Sequence, residues 1–423
     1  MLTRLSSQVI RRFDRFHLPS VATNSAYLFA NSVVTAVLGV TFWGIAARFY
    51  DLDAVGRTAA VVSSATLIAM ISNLGFGPLV IRFLPISGTS EVRLSAIASL
   101  IPAILATSIA FIFYSLPMNR ALIGSSQQIP FAILIPVSLT AAIAVSAVQD
   151  SIFIARQESM FVLIVHMGGT LVRLIVLSTF ARVGAIGLIG SFSLGWLVTL
   201  AIGAHAWKKK LPWSVETQPS IREMAKYGAT NYITGLLNQA PQLTYPFLIA
   251  TQISATAAGA FNYAWLGMGV IMALPPLAAN AVLANLVSPK GTIQQHLRIT
   301  ILTIVGIMAM LAALSYVAAL IIIPIVLRKG SQDVLQLLPL LLASVVFYAI
   351  VRLQSMLFAW RMHLQKLLIL NFVVSVAALT LPVILLIKNG VLGLELGWLG
   401  TQIIGVCAGY VLLNLAVRRP DFA

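Results

Sequence analysis

Stretches of about 20 apolar residues recur along the whole chain, at 24–47, 58–81, 94–117, 129–153, 159–181, 184–206, 226–251, 256–286, 298–325, 334–358, 366–387 and 391–416. Each is long enough to cross a hydrocarbon core of about 30 Å as a helix. In lipid a segment must satisfy its own backbone polar groups, and these stretches lack the alternation of barrel strands. The chain therefore reads as an all-α polytopic membrane protein of about twelve transmembrane helices. Composition agrees: 59% of the residues are hydrophobic and 9% charged, too few polar groups to cover a soluble domain.

The basic residues orient the spans. With the N-terminus inside, the cytoplasmic segments hold most of the 27 Lys and Arg, including Arg4, Arg11, Arg12, Arg15, Lys208, Lys209, Lys210, Arg418 and Arg419. The outer ends hold Arg48, Arg57, Arg120, Arg182, Arg328, Lys329 and Lys388. Both termini are expected in the cytoplasm by the positive-inside rule. The net charge of +16 then follows from topology and attraction to anionic membrane lipids, and calls for no nucleic-acid partner.

Within the segment 1–22 the first twenty residues do not read as a signal peptide, because the basic stretch comes late and no cleavable apolar region follows within them. Leu2, Leu5, Val9, Phe13 and Phe16 recur at helical spacing opposite the arginines. That pattern fits an amphipathic helix on the inner leaflet; the competing reading is a disordered basic tail. Cys407 is the only cysteine, so neither a disulfide nor a cysteine metal site is expected.

The longest hydrophilic loop, 207–224, divides the spans into a six-helix N-lobe at 23–206 and a six-helix C-lobe with a short basic tail at 225–423. An offset of about 203 aligns Ala54 and Gly56 with Ala257 and Gly259. It brings Gly187 and Gly190 to Gly390 and Gly393, and Asp150-Ser151 to Gln354-Ser355 with a one-residue slip. An even number of spans per half makes the lobes parallel repeats about an axis along the membrane normal, as in transporters that rock around a midplane site.

Arg173 stands near the middle of the span 159–181. An intramembrane arginine costs roughly 2.5–3.5 kcal/mol on insertion scales and is retained mainly where it lines a cavity or holds a partner. His166, Gly169, Thr170 and Arg173 share one helical face, the best candidate for ligand contact in the first half. Asp150 is the only acid read as even moderately deep, and it is the candidate coupling charge. It lies about 14 Å short of Arg173 along the helix axes, so the two are not expected to pair. Arg352 is the second-half candidate, with snorkelling to the cytoplasmic surface as its alternative. Polar stripes mark the first helix of each half: Asn24, Tyr27, Asn31 and Thr35, then Asn231, Thr234, Asn238, Gln242 and Tyr245. They suit helices flanking a wet cleft, although Asn and Gln also join neighbouring helices for about 0.6 kcal/mol each. Bends are expected at Pro241, Pro246, Pro275 and Pro276.

Asn31, FWGIAARFY at 42–50, AVGRTAA at 54–60, SNLGFGPLVIRFLP at 72–85 and QDSIFIARQ at 149–157 give the chain a resemblance to a known family. It resembles the polysaccharide-exporting branch of the superfamily that also holds the MATE multidrug exporters and the lipid II flippases. The likeness covers most of the first half closely and the second half through topology. It implies a V-shaped bundle in the bacterial cytoplasmic membrane that flips a lipid-linked anionic glycan, usually on undecaprenyl pyrophosphate, beside other polysaccharide-assembly proteins. MATE exporters typically use membrane carboxylates, which disfavours cationic drug export here. Lipid II flippases generally have fourteen spans and early basic residues, whereas nothing basic lies between Arg15 and Arg48.

A membrane enzyme of polysaccharide assembly is the reading from another class. The outer loops are short, however, and their acids amount to Asp51, Asp53, Asp333 and Glu395. No metal cluster, acid–base pair or nucleotide-binding loop appears, so no cofactor and no catalytic residue is expected.

Overall fold

Capping and glycine placement set where the helices begin and end. In the computed structural model, which describes residues 20–86, 91–123, 132–206, 221–275, 293–327, 330–360 and 363–417, no strand occurs among the described residues. The helices are α1 (Ser20–Phe49), α2 (Leu52–Ser72), α3 (Phe76–Phe83), α4 (Glu91–Ser115), α5 (Pro117–Arg120), α6 (Leu134–Ala155) and α7 (Ser159–Leu177). They continue as α8 (Ala185–Ala206), α9 (Ile221–Gln252), α10 (Ala255–Met272), α11 (Ile293–Val326), α12 (Ser331–Trp360) and α13 (Leu364–Val417). The N-terminal segment 1–19, residues 207–220 of the inter-lobe loop and Pro276 lie outside the described residues.

Among the described residues nine helices are long and apolar enough to cross a membrane, which makes the chain a multi-pass membrane protein. α13 is two crossings joined at Gly390, whose φ of 65° a side chain rarely adopts. α9 and α10 complete the set of twelve; Asn231, Thr234, Asn238, Gln239 and Gln242 in the one, and Asn262, Tyr263 and the glycines in the other, lower their apolarity. The face on which α1 begins is the starting face below, and the opposite one the far face.

One expectation changes. The span 58–81 is not one helix: α2 stops at Ser72, and a turn with Leu74 at φ 45° and Gly75 at φ 82° precedes α3. A Cβ on Gly75 would strike the carbonyl oxygen of Gly228 on α9, so glycine serves here both a left-handed backbone and a close approach. α9, in contrast, runs unbroken through Pro241 and Pro246.

The buried apolar side chains form two large clusters. One joins Phe42, Tyr114, Leu139, Leu177 and Ile189 of α1, α4, α6, α7 and α8; the other joins Tyr245, Phe261, Leu341 and Leu394 of α9, α10, α12 and α13. Lipid tails are as apolar as leucine, so helix association depends on close packing by small residues and on interhelical hydrogen bonds. Both occur where the lobes meet. α2 crosses α10 through Gly56 and Gly259; a Cβ on Gly56 would meet Gly259 N at 2.6 Å and the Ala255 carbonyl, and a Cβ on Gly259 would meet the Leu52 carbonyl. The caps match as well: Asp51 accepts from Ala54 N at 2.8 Å, and Ser254 accepts from Ala257 N at 3.1 Å.

The internal repeat is therefore visible in packing, with an offset that drifts from about 203 to about 206. In the second lobe Gly390 matches Gly184, each with left-handed φ, and Gly393 matches Gly187, each set against a carbonyl of the preceding helix end. Gln354 packs on Gly409 as Gln149 packs on Gly203. The matches expected for Gly390 and Gln354 thus shift, because loop lengths differ between the halves.

Candidate functional site

α7 turns its polar face into its own lobe. Gly169 and Thr170 are buried where α7 meets Gly195 and Thr199 of α8. His166 Nε2 lies 2.8 Å from Asp150 Oδ2 on α6, and its ring stands edge-on to Trp196 at 5.5 Å. Asp150 thus takes His166 rather than Arg173 as partner.

One turn further along α7, the Arg173 guanidinium lies 4.2 Å from the Phe192 ring centre, 5.8 Å from Phe42 and 5.9 Å from Trp196. These rings supply the stabilisation that a carboxylate would otherwise give, about 0.5–2 kcal/mol for each well-placed ring. Arg173 pairs with no carboxylate among the described residues, and its buried Nε has no hydrogen-bond partner.

The C-lobe builds an equivalent chamber. Tyr245 and Trp398 stand where Phe42 and Phe192 stand, with ring centres 6.0 Å apart, and Tyr245 donates to the Ala378 carbonyl at 2.7 Å. By the drifted offset Ala378 occupies the place of Arg173, Ser375 that of Thr170, Asn371 that of His166 and Gln402 that of Trp196. The space left by the smaller Ala378 is a cavity of about 30 Å³, lined by these four residues with Asn238, Gln242 and Trp398. A cation reaches it from another helix: Arg352 of α12 lines it, its guanidinium 4.8 Å from the Tyr348 ring centre and its Nε without a partner. Three of the residues expected from sequence, Asn238, Gln242 and Arg352, thus come together.

Asn231 goes elsewhere. It lines a cavity of about 380 Å³ between α9 and the first lobe, with Thr66, Asn73, Ser151, Tyr232 and Gln239. Asn31, on α1, keeps a buried side-chain oxygen without a partner, while its carbonyl accepts from Thr35 at 2.6 Å. Asn73, Tyr232 and Gln239 were not singled out from sequence; the turn at Leu74 and Gly75 aims Asn73 into the cavity, and only a broken second span would have signalled it.

Glu395 corrects the expectation of short acidic outer loops and a single deep acid. It lies inside the second limb of α13, fully buried, with neither carboxylate oxygen hydrogen-bonded. The limb begins directly after Gly390, so a residue that looks like a loop acid is already one turn into the helix. Trp398 Nε1, three residues on, is also buried without a partner.

On the far face Trp43 and Tyr263 join the lobes, the Tyr263 hydroxyl donating to the Trp43 carbonyl at 3.1 Å. Towards the starting face Tyr232 donates to the Ile71 carbonyl at 3.1 Å, and the Arg82 guanidinium lies 4.4 Å from the Tyr227 ring centre. α9 is therefore tied to α2 and α3 along one side of the seam.

The whole arrangement has known counterparts. The fold is similar to that of the lipid II flippase MurJ in an inward closed conformation, with a TM-score of 0.66 and 16% identity over 91% of this chain and 87% of that one. It is similar to a multidrug resistance MATE transporter in an inward-facing conformation, with a TM-score of 0.61 and 16% identity over 91% and 95% of the two chains. The Vibrio cholerae MATE transporter VcmN in its bent form follows with a TM-score of 0.53 and 18% identity over 94% and 98%. No family model and no curated protein matches the sequence. At this identity the likeness shows a common fold: two helical lobes of the kind built by MATE transporters and MurJ.

Proposed function

We infer that the chain is a flippase which moves a lipid-linked, polyprenyl-pyrophosphate glycan across the bacterial cytoplasmic membrane by alternating access. The observation that carries this reading is the pair of intramembrane guanidiniums, Arg173 and Arg352, one per lobe, neither with a carboxylate partner among the described residues. Such charges are expensive in lipid, and an anionic substrate supplies what the protein withholds. Arg352 takes the phosphates with Asn238 and Gln242, since a guanidinium offers two parallel bonds to phosphate oxygens. Arg173, packed over the Phe192 ring, supplies the second charge from the opposite lobe.

The Arg352 chamber now has room for about one water, so binding requires the helices around it to separate. The starting face is assigned to the cytoplasm by the basic residues. Outward movement of one negative charge then gains up to about 2.3 kcal/mol per 100 mV of inside-negative potential.

One observation favours a second reading, a cation antiporter of the MATE type: the buried Glu395, a carboxylate without a partner. Deleting the gene separates the two. Accumulation of a lipid-linked oligosaccharide in the inner leaflet supports the flippase; drug sensitivity without accumulation supports the antiporter. Altered polymer length with normal flipping would favour an assembly enzyme instead.

A further inference from the structure

We propose that the cavity of about 380 Å³ between α9 and α2, α3 and α6 seats an uncharged sugar of the lipid-linked glycan. The proposal rests on the flippase reading and adds a place and a chemical class to it. Among the described residues no Asp, Glu, Lys, Arg or His lines this cavity. Its polar groups are the amides of Asn73, Asn231 and Gln239 and the hydroxyls of Thr66, Ser151 and Tyr232; the hydroxyls already donate to the carbonyls of Val62, Ala147 and Ile71 and are open as acceptors, while the Gln239 amide can both donate to and accept from sugar hydroxyls.

One of these groups is committed and unsatisfied at once. Asn73 donates its Nδ2 to the Ala144 carbonyl at 3.2 Å, which fixes the amide plane, while its buried Oδ1 has no donor. That oxygen has almost no accessible surface in this closed arrangement, so a sugar hydroxyl reaches it only once the helices around it part. The amide is placed by Leu74 at φ 45°, a left-handed conformation that a branched aliphatic residue rarely adopts. Such strain persists where the surrounding structure holds it, and it collects at ligand sites. Across the cavity Gly235 leaves α9 without a side chain between Asn231 and Gln239.

The cavity also stands in the right relation to the charge site. Asn238 faces the Arg352 chamber while its neighbour Gln239 faces this cavity, so adjacent faces of α9 line a phosphate position and a sugar position. Because the cavity wall comes from both lobes, a sugar seated there bridges them. An anionic sugar such as a hexuronic acid would find no cation among the described lining residues, and its burial would cost far more than that of a neutral hexose or N-acetylhexosamine.

The test uses the full chain in nanodiscs with three synthetic probes: a short prenyl pyrophosphate bearing a neutral disaccharide, the same lipid bearing a hexuronic acid, and the sugar-free lipid. The neutral probe is expected to bind at least tenfold more tightly than the other two. Gln239→Met and Asn73→Leu should erase that advantage while leaving the sugar-free probe unchanged; Gln239→Lys should raise affinity for the hexuronic acid probe. Gln239 is exposed, so it keeps the test open if Asn73→Leu melts early. Variants that retain the full neutral-sugar advantage, or a parent that prefers the hexuronic acid, would overturn the sugar seat and leave the flippase reading intact. A parent that binds none of the probes would overturn both.

Discussion

Among the described residues the Arg173 guanidinium lies among three rings without an anion, and Glu395 lies buried without a cation. Their expected responses to substitution differ. Arg173→Gln should lower export of the lipid-linked glycan at least tenfold at matched protein levels, and Arg173→Lys should restore little of it. An ammonium is more strongly hydrated, stacks less well and cannot make parallel bonds to phosphate. Undiminished export by Arg173→Gln would remove the residue from the mechanism. Glu395→Gln keeps the volume and replaces a buried carboxyl that has no partner among the described residues, so the apparent melting temperature should hold or rise by a few degrees, roughly 2–4 °C per kcal/mol. A clear drop would reveal a cation or donor bound to the carboxylate. The sequence made Arg173 conspicuous because charge in an apolar run is easy to see. It did not reveal that the rings of Phe42, Phe192 and Trp196 come from two other helices, and a glycine followed by an acid five residues later reads the same in a loop as in a helix.

The crossing of α2 over α10 shows why some elements were readable and others were not. Gly56 and Gly259 share one offset because each occupies the same crossing, seen from its own lobe. Gly56→Leu should therefore disrupt the joint between lobes, since overpacking of a tight contact costs about 1–3 kcal/mol. Lower yield and an earlier thermal transition in detergent would be the readout, with Gly44→Leu as control because a Cβ there meets nothing within 4 Å. Helix count and order follow from apolar length alone. The break in α2 does not, because Ser72 to Phe76 has no proline and only Gly75 to mark a turn.

At the scale of the whole molecule, the direction of transport depends on which face meets the cytoplasm, and that assignment comes from the distribution of basic residues alone. The chain allows a direct check because Cys407 is its only thiol. In a Cys407→Ser background, Asp333→Cys stands at the start of α12 on the far face, beside a cavity lined by Arg48 and Asp51. Gln157→Cys stands between α6 and α7 on the starting face. A membrane-impermeant maleimide should label Asp333→Cys in intact cells and Gln157→Cys only after permeabilisation. The reverse pattern would turn the molecule over, while the inside-negative potential would favour outward movement of an anionic head group in either orientation. It would also place the sugar cavity, which opens beside Asn73 and Gly75 near the starting face, on the side where a flipped product leaves rather than where a substrate is loaded.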